Sequence, residues 1–431
     1  MHWQGQGWLS WSQSFEPRYR TWSEGIEPLS EHETQQFLRH AARVRYLSIR
    51  QTKNHLDLLT AFPIEARIFP RLLALNWDPD TNAWVHLFLS PTLRRCALQA
   101  VHSDFKSICL PGLENLSFWS YLDRDDFRAS DVSLLSEAVR SCRQLKHLRC
   151  SSLDSAAWKH LSNLPNFATL LMYGALNEPT LDLDGVTLTP FLNITSLFFR
   201  LDSAVNIITI LQHSKFPSLK KFIVHVDAIH CSEAEQLCHA LAQCNTCHTL
   251  QYVSIHSFNP TDEHPDKALV VIKPFFCLPQ LRDLKLNLSR SIYLDNDLLL
   301  EAMSSWPHIH DLHLDSTSSR YDNPPSTNTV TFRGLFAALR LCPHLFHLSL
   351  DMDATNIDID IECETFQHTS LKYLDVGSSI AEDPEAIIRI ISTMLPSVRG
   401  VRHCGGRGGV WSRVDNVIAN SCRRPHVCRR W

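Results

Sequence analysis

Glycine is scarce in this sequence, with 13 residues among 431, where an average chain carries about 7%. This scarcity argues against glycine-rich phosphate loops and against collagen-like or linker-like segments. No run of 18 apolar residues occurs, so no membrane-spanning helix is predicted. The start, from Met1 to Trp8, has neither a basic segment nor an apolar run, so no secretory signal is recognised. We therefore expect a cytoplasmic or nuclear protein without membrane attachment.

A strong net charge is also lacking, because 41 Lys and Arg residues oppose 45 Asp and Glu residues. The composition thus provides no global attraction to nucleic acid or anionic lipid. The 14 cysteines are interpreted as reduced thiols, since stable disulfides are typical of secreted chains. The sequence contains no nucleophile elbow, zinc-protease helix motif or kinase signature. These observations predict a protein that is not an enzyme and needs no cofactor.

One short apolar pattern recurs along the chain: an apolar residue, two free positions, a second apolar residue, one free position and a third. It occurs about fourteen times from Val44 to His403 at a mean spacing of about 27 residues, inside the range of leucine-rich repeats. Proline precedes the first apolar position by two residues in nine units, where it would end a helix and release the chain into a strand. These prolines are Pro70, Pro91, Pro111, Pro165, Pro217, Pro279, Pro307, Pro343 and Pro396.

Amphipathic helical patterns separate the predicted strands. The clearest cover residues 131–141, 203–213, 232–243, 331–341 and 385–394. Repeated strand–helix alternation predicts an α/β leucine-rich-repeat solenoid, a horseshoe with parallel strands on the concave face and helices on the convex face. We assign residues 1–28 to a Trp-rich N-terminal segment, 29–405 to a solenoid of about fourteen irregular units, and 406–431 to a Gly/Arg-rich C-terminal tail.

Two positions in each unit are predicted to point out of the concave face: the one between the second and third apolar residues, and the one after the third. In the last units they include Ser349 and Asp351. In the middle units they combine aromatic, arginine and histidine side chains, a composition typical of interface hot spots. The alternative is that loops or the N-terminal segment cover these side chains. The predicted partner-binding residues are Trp119, Arg149, Leu171, Tyr173, Phe198, Arg200, His225 and His256.

Metal ligation is not predicted. Cys244 and Cys247 have the spacing of a zinc half-site, but no second pair follows at the usual distance, so packing in the core is preferred. His308, His310 and His313 are interpreted as solvated histidines. The basic end, with eight arginines from Arg399 onward, is interpreted as a solvated tail, and a nucleic-acid partner is the alternative.

Three stretches resemble the leucine-rich-repeat region of fungal F-box proteins: FLRHAARVRYL at 37–47, FPRL at 69–72 and LFLSPTL at 87–93. The resemblance covers roughly residues 28–404. It implies the substrate-recognition part of an F-box-type (SCF) ubiquitin-ligase receptor, with a protein substrate on the concave face and a Skp-family adaptor and cullin as partners. No F-box is recognised in residues 1–27, which favours a stand-alone scaffold or a truncated product without ligase association as the alternative.

Overall fold

The structure is a computed structural model of the 431-residue chain. The chain divides into two compact units, Met1–Pro179 (unit 1) and Thr180–Trp431 (unit 2). Within the described residues, no helix is both long and apolar enough to cross a bilayer. The structure describes residues 30–49, 68–77, 85–99, 111–118, 129–174, 181, 183, 186, 188–244, 248–259, 271–288, 292–316, 329–404 and 409–423.

Unit 1 contains six described strands, which pair in chain order, and every pair is parallel. The strands are β1 Tyr46–Ile49, β2 Ala74–Trp77, β3 Arg95–Leu98, β4 Asn115–Phe118, β5 His147–Cys150 and β6 Thr169–Tyr173. The helices are α1 Glu31–Ala41, α2 Ala129–Ser141 and α3 Ser155–Ser162, with a short 3-10 helix at Val85–Phe88.

Unit 2 repeats this arrangement, again with parallel strands paired in chain order, and adds a small separate strand pair. The first five of its main strands have six residues each, and the last three have two or three. The main strands are β7 Ser196–Leu201, β8 Lys221–Val226, β9 Tyr252–Ser257, β10 Asp283–Leu288, β11 Asp311–Ser316, β12 His347–Ser349, β14 Tyr373–Asp375 and β16 Val401–Arg402, while β13 Asp353–Ala354 pairs with β15 Ile380–Ala381. The helices are α4 Val205–His213, α5 Cys231–Gln243, α6 Asn296–Ser305, α7 Phe332–Leu339, α8 Pro384–Met394 and α9 Val410–Arg423, with a 3-10 helix at Lys273–Cys277.

The recurring apolar positions form the core of both units. In the twelve pattern units from Leu72 to Val376, all three apolar positions are at most 7% exposed. Along β10 the buried Leu284, Leu286 and Leu288 alternate with the half-buried Lys285, because successive side chains of a strand point to opposite faces. The predicted α/β repeat solenoid is therefore confirmed by the strand register and by the burial of its pattern residues.

Helix boundaries follow from the sequence signals. All nine prolines of the repeat pattern lie in turns that precede a strand, as predicted. At α8, Asp383 accepts hydrogen bonds from the backbone N–H groups of Glu385 and Ala386, and Pro384 occupies the first turn, where its missing N–H costs nothing. The apolar stripe of this helix is buried, as its period predicts. The buried residues are Ile387, Ile390, Ile391 and Met394.

Part of the segment assigned to a C-terminal tail is folded. Helix α9 packs against α8 and beside β16. Its Trp411 Nε1 donates a hydrogen bond of 2.8 Å to a backbone carbonyl, and Asp415 accepts one of 2.8 Å from the backbone N–H of Val401. The interpretation of the basic end as a solvated tail is therefore wrong for residues 409–423, since three side chains of α9 are buried. They are Trp411, Val414 and Ile418.

Four side chains at positions predicted to point out of the concave face are buried: Gln99, Ser151, Ser349 and Asp351. Ser349 donates a hydrogen bond to Asp315, and Asp351 accepts hydrogen bonds from the backbone N–H and hydroxyl of Ser378 at 2.8 and 3.1 Å. Ser378 follows Gly377, whose φ of +50° permits the turn that brings this backbone over Asp351. A Cβ at Gly377 would overlap the Asp351 carboxylate, so the turn requires glycine on steric grounds as well.

The register of β10 predicts that two neighbouring substitutions lower the free energy of unfolding by very different amounts. Leu284→Ala removes a fully buried side chain and should lower the free energy of unfolding by about 2–5 kcal/mol. Lys285→Ala changes the opposite, half-buried face and should cost about 0.5 kcal/mol or less. Chemical denaturation followed by tryptophan fluorescence measures both. Equal losses would contradict the assigned faces of the strand.

Candidate functional site

The strands of unit 2 present every second side chain away from the core, and we call this surface the open face of unit 2. Parallel register aligns its residues in three rows across the strands. The first row is Ser196, Lys221, Tyr252, Asp283, Asp311, His347 and Tyr373. The second row is Phe198, Ile223, Ser254, Lys285, His313, Ser349 and Asp375. The third row is Arg200, His225, His256, Asn287 and Asp315.

Four predicted partner-binding residues lie on β7, β8 and β9 of this face. The ring centroids of Phe198 and His225 are 5.3 Å apart, and those of His225 and His256 are 5.7 Å apart. Arg200 lies directly opposite His225 in the strand register. Because cross-strand neighbours on one face contact each other, four residues dispersed along 59 positions of sequence form one continuous surface.

Phe258 completes this cluster and was not among the predicted site residues. Its ring centroid is 4.5 Å from that of His256 and 5.8 Å from that of His225, and the guanidinium carbon of Arg200 lies 5.6 Å from it. Phe258 remains 43% exposed. We call Phe198, Arg200, His225, His256 and Phe258 the aromatic cluster. The sequence signal for Phe258 was its position two residues after His256, which places both on the same side of the chain.

Basic side chains flank the aromatic cluster in the first two rows. The Lys221 Nζ lies 4.9 Å from the Tyr252 ring centroid, and the Lys285 Nζ lies 5.9 Å from the same ring. Both distances are within the range of cation–π attraction. The positive charge on β7 to β10 gives way to carboxylates on β10, β11 and β14, which belong to Asp283, Asp311 and Asp375.

In unit 1 the structure brings together three other predicted residues. Arg149 lies opposite Leu171 in the register of β5 and β6. Its guanidinium carbon is 4.4 Å from the Tyr173 ring centroid, a cation–π contact. Leu171 and Tyr173 are half-buried on the same face of β6. The eighth predicted residue, Trp119, lies outside the described residues.

A second cluster on the open face of unit 2 joins Asp311, His313 and His347. Burial raises the pKa of Asp311, but the imidazoles of His313 and His310 outweigh burial and bring it well below its ordinary value. Burial, together with the charge of His313, lowers the pKa of His347 to about 4. Burial and the Asp311 carboxylate raise the pKa of the neighbouring Asp283. The cluster thus pairs an ionised carboxylate with a neutral imidazole at neutral pH.

The expectation of solvated histidines holds for His308 and His310, which are exposed, and is wrong for His313. The His313 side chain is only 18% exposed, and its Nε2 is buried. No local pattern predicts His347 as its neighbour, because 34 residues separate the two in sequence. The expected core packing of cysteine is confirmed for Cys244, which is 2% exposed, while Cys247 lies outside the described residues.

Comparison with known proteins finds no matching protein-family model and no matching curated protein. Among solved structures, the chain is similar to a leucine-rich-repeat protein of Leptospira interrogans, with 15% identity, 88% of this chain and 76% of that chain covered, and a TM-score of 0.33. It is also similar to a chain in the Rad7 and Elc1 complex of yeast, with 12% identity, 86% and 88% covered, and a TM-score of 0.37. Because both TM-scores are low, the fold class rests on the strand register and burial of this chain.

We expect acid to lower the free energy of unfolding of unit 2 because of His225. Burial, and then the positive charge of Arg200, lower the pKa of His225 below its ordinary value of 6.5. Well above pH 6.5, neither the folded nor the unfolded state binds a proton at this site. As the pH falls below 6.5, the unfolded state binds the proton first, so the free energy of unfolding decreases.

We therefore expect His225→Gln to gain stability relative to the unsubstituted chain as the pH is lowered from 7 to 5. Thermal unfolding at several pH values measures this relative change. His256 lies opposite His225 in the register, so His256→Gln provides a neighbouring comparison that keeps His225 in place. A difference between His225→Gln and the unsubstituted chain that does not vary with pH would contradict the assigned direction of the pKa shift.

Proposed function

We propose that this chain is a non-enzymatic, protein-binding repeat module and that the aromatic cluster of unit 2 is its main contact surface. The observation that supports the proposal is a set of aromatic and histidine rings in edge-to-face contact, with Arg200 over the Phe258 ring, on the face opposite the core. Aromatic residues and arginine are enriched at interface hot spots, since they bury much area with few rotatable bonds. Cross-strand packing holds these rings in place, so little side-chain entropy is lost on binding.

The charge distribution of the open face restricts which protein surfaces could bind to it. Arg200, Lys221 and Lys285 surround the aromatic side, whereas carboxylates dominate the neighbouring strands. A matching protein surface would place acidic and apolar side chains against β7 to β9 and basic side chains against β10 to β14. Such complementarity sets the orientation of the partner and increases the association rate at low salt.

Phe258→Ala should weaken partner binding by at least about tenfold, the effect of losing about 1.4 kcal/mol. Leu300→Ala is a matched control, because Leu300 is 39% exposed on α6, close to the 43% of Phe258. Proteins captured from native cells by the unsubstituted chain are identified first, and their dissociation constants are then measured for both variants. Equal affinities of the two variants would refute the assignment of the contact surface.

Unit 1 supplies a second test of the same proposal. Arg149, Leu171 and Tyr173 form a smaller surface of similar composition. If the aromatic cluster of unit 2 is the main contact surface, Tyr173→Ala should reduce affinity less than Phe258→Ala does. A larger loss of affinity in Tyr173→Ala than in Phe258→Ala would indicate that the main contact surface lies in unit 1.

We further propose that the partner-binding module belongs to an F-box-type (SCF) ubiquitin-ligase receptor and holds the protein to be ubiquitinated. The support is the resemblance of the stretches at 37–47, 69–72 and 87–93 to the repeat region of fungal F-box proteins. A Skp-family adaptor and a cullin are then the expected additional partners. The alternative is a stand-alone scaffold that binds its partner without a ligase.

Affinity purification of the tagged full chain from its native cell distinguishes these two functions. Recovery of a Skp-family adaptor together with a cullin, at similar levels for the unsubstituted chain and Phe258→Ala, is the expected result. The substituted residue lies in the partner site, so adaptor recovery should not depend on it. Partner capture without adaptor or cullin would support the stand-alone scaffold and would exclude ligase membership.

A further inference from the structure

Strands β11 and β12 bring three metal-ligating side chains to one point on the open face of unit 2. Asp311 and His313 are two residues apart on β11 and therefore lie on the same side of the strand. His347 on β12 is the direct register partner of Asp311. One ligand atom from each residue lies within 4.8 Å of the other two.

The atoms converge without bonding to one another. Asp311 Oδ1 is 3.9 Å from His313 Nε2 and 3.7 Å from His347 Nδ1, and both distances exceed those of hydrogen bonds. The His313 Nε2 is buried and has no hydrogen-bond partner among the described residues. A buried nitrogen without a partner loses its interaction with water, so its position is stabilised only if another group binds it.

His310 holds the carboxylate in a fixed orientation. Its Nδ1 lies 2.6 Å from Asp311 Oδ2, a hydrogen-bond distance, while its ring stacks on Phe346 with centroids 5.1 Å apart. This contact occupies one carboxylate oxygen and leaves Oδ1 directed at the two imidazoles. Ligating carboxylates in metal sites are commonly oriented in this way by a second residue.

We propose that Asp311 Oδ1, His313 Nε2 and His347 Nδ1 bind a divalent first-row transition metal ion of the Zn²⁺ type. Two imidazoles and one carboxylate suit Zn²⁺, whereas Ca²⁺ and Mg²⁺ prefer oxygen ligands alone. Ligands at about 2.0–2.1 Å from a tetrahedral ion lie about 3.3 Å apart, so each imidazole nitrogen needs to approach Asp311 Oδ1 by about 0.4–0.6 Å, and the two nitrogens, within 4.8 Å of each other, need to approach by at most about 1.5 Å.

Charged side chains of both signs surround this position. Asp283 is the register partner of Asp311 on the other side and adds a second carboxylate. Lys285 is the register partner of His313, and its positive charge and that of Arg402 act on His347, while the Lys285 Nζ lies 5.9 Å from the ring of Tyr252 on β9. Three protein ligands leave a fourth position for water or for a side chain of a bound protein.

The site is distinct from the aromatic cluster, which occupies β7 to β9. Its failure would leave the proposed partner-binding surface unaffected, and loss of partner binding in Phe258→Ala would not remove the metal ligands. The two proposals are therefore tested by different substitutions and different measurements.

Titration of Zn²⁺ into the chelator-treated full chain, monitored by calorimetry, tests the proposed metal site. The unsubstituted chain should bind one equivalent of Zn²⁺ more than Asp311→Asn, His313→Gln or His347→Gln. The difference is compared, and not the total, because other cysteines and histidines can bind zinc in every variant. His308→Gln is the matched control, because His308 is exposed and lies outside the cluster. His310→Ala should retain the equivalent with about tenfold weaker affinity. Circular dichroism verifies that each variant is folded.

X-ray absorption of the unsubstituted chain loaded with one equivalent of Zn²⁺ provides a test that needs no substitution. Nitrogen and oxygen ligands at about 2.0–2.1 Å with imidazole scattering are expected, and a sulfur ligand at about 2.3 Å would assign the ion to cysteine and overturn the proposal. The absence of zinc binding to the unsubstituted chain would overturn it as well. So would undiminished binding in all three ligand variants.

Discussion

The hydrogen-bonded register of neighbouring parallel strands is the constraint on which the rest of this structure depends. A strand alternates its side chains between two faces, so a shift of one residue would move every buried residue to the open face. In unit 2, Leu284 pairs with Leu312 and Val253, and each of them is completely buried. The same pairing sets His225 beside His256. The register that closes the core therefore also determines which side chains meet on the open face.

Much of this arrangement could be predicted from the sequence, because its physical cause is local. The apolar spacing identifies the strands and the prolines identify the turns before them, and both hold throughout the described residues. The same period of two correctly assigned Phe198, Arg200 and His225 to the open face of unit 2. Their mutual contacts could be expected only once consecutive repeats were known to pair in register, which the repeat pattern itself implies.

The features that could not be predicted from the sequence have three separate causes. Asp311 and His347 occupy the position before the second apolar residue of their units, outside the two positions chosen for the exposed face, although the period of two includes it. Asp351 is buried beneath a later turn at Gly377, a contact between segments 27 residues apart that no local pattern encodes, and Ser349 is buried with its hydroxyl bonded to Asp315 of the neighbouring strand. The apolar stripe of α9 was obscured by its arginines, such as Arg413, which pairs with Glu385 at 2.5 Å.

A repeat scaffold separates the residues that fold it from the residues that function on it. Core positions in successive units are nearly equivalent, so stability is a sum of similar neighbour interactions. Open-face positions carry no such requirement, and neighbouring strands can therefore hold unlike chemistry. Here interlocked rings on β7 to β9 give way, across β10, to a carboxylate and two imidazoles on β11 and β12. On β10, Lys285 contacts the ring of Tyr252, and its charge also acts on Asp283 and Asp311, so this strand borders both the proposed contact surface and the proposed metal site.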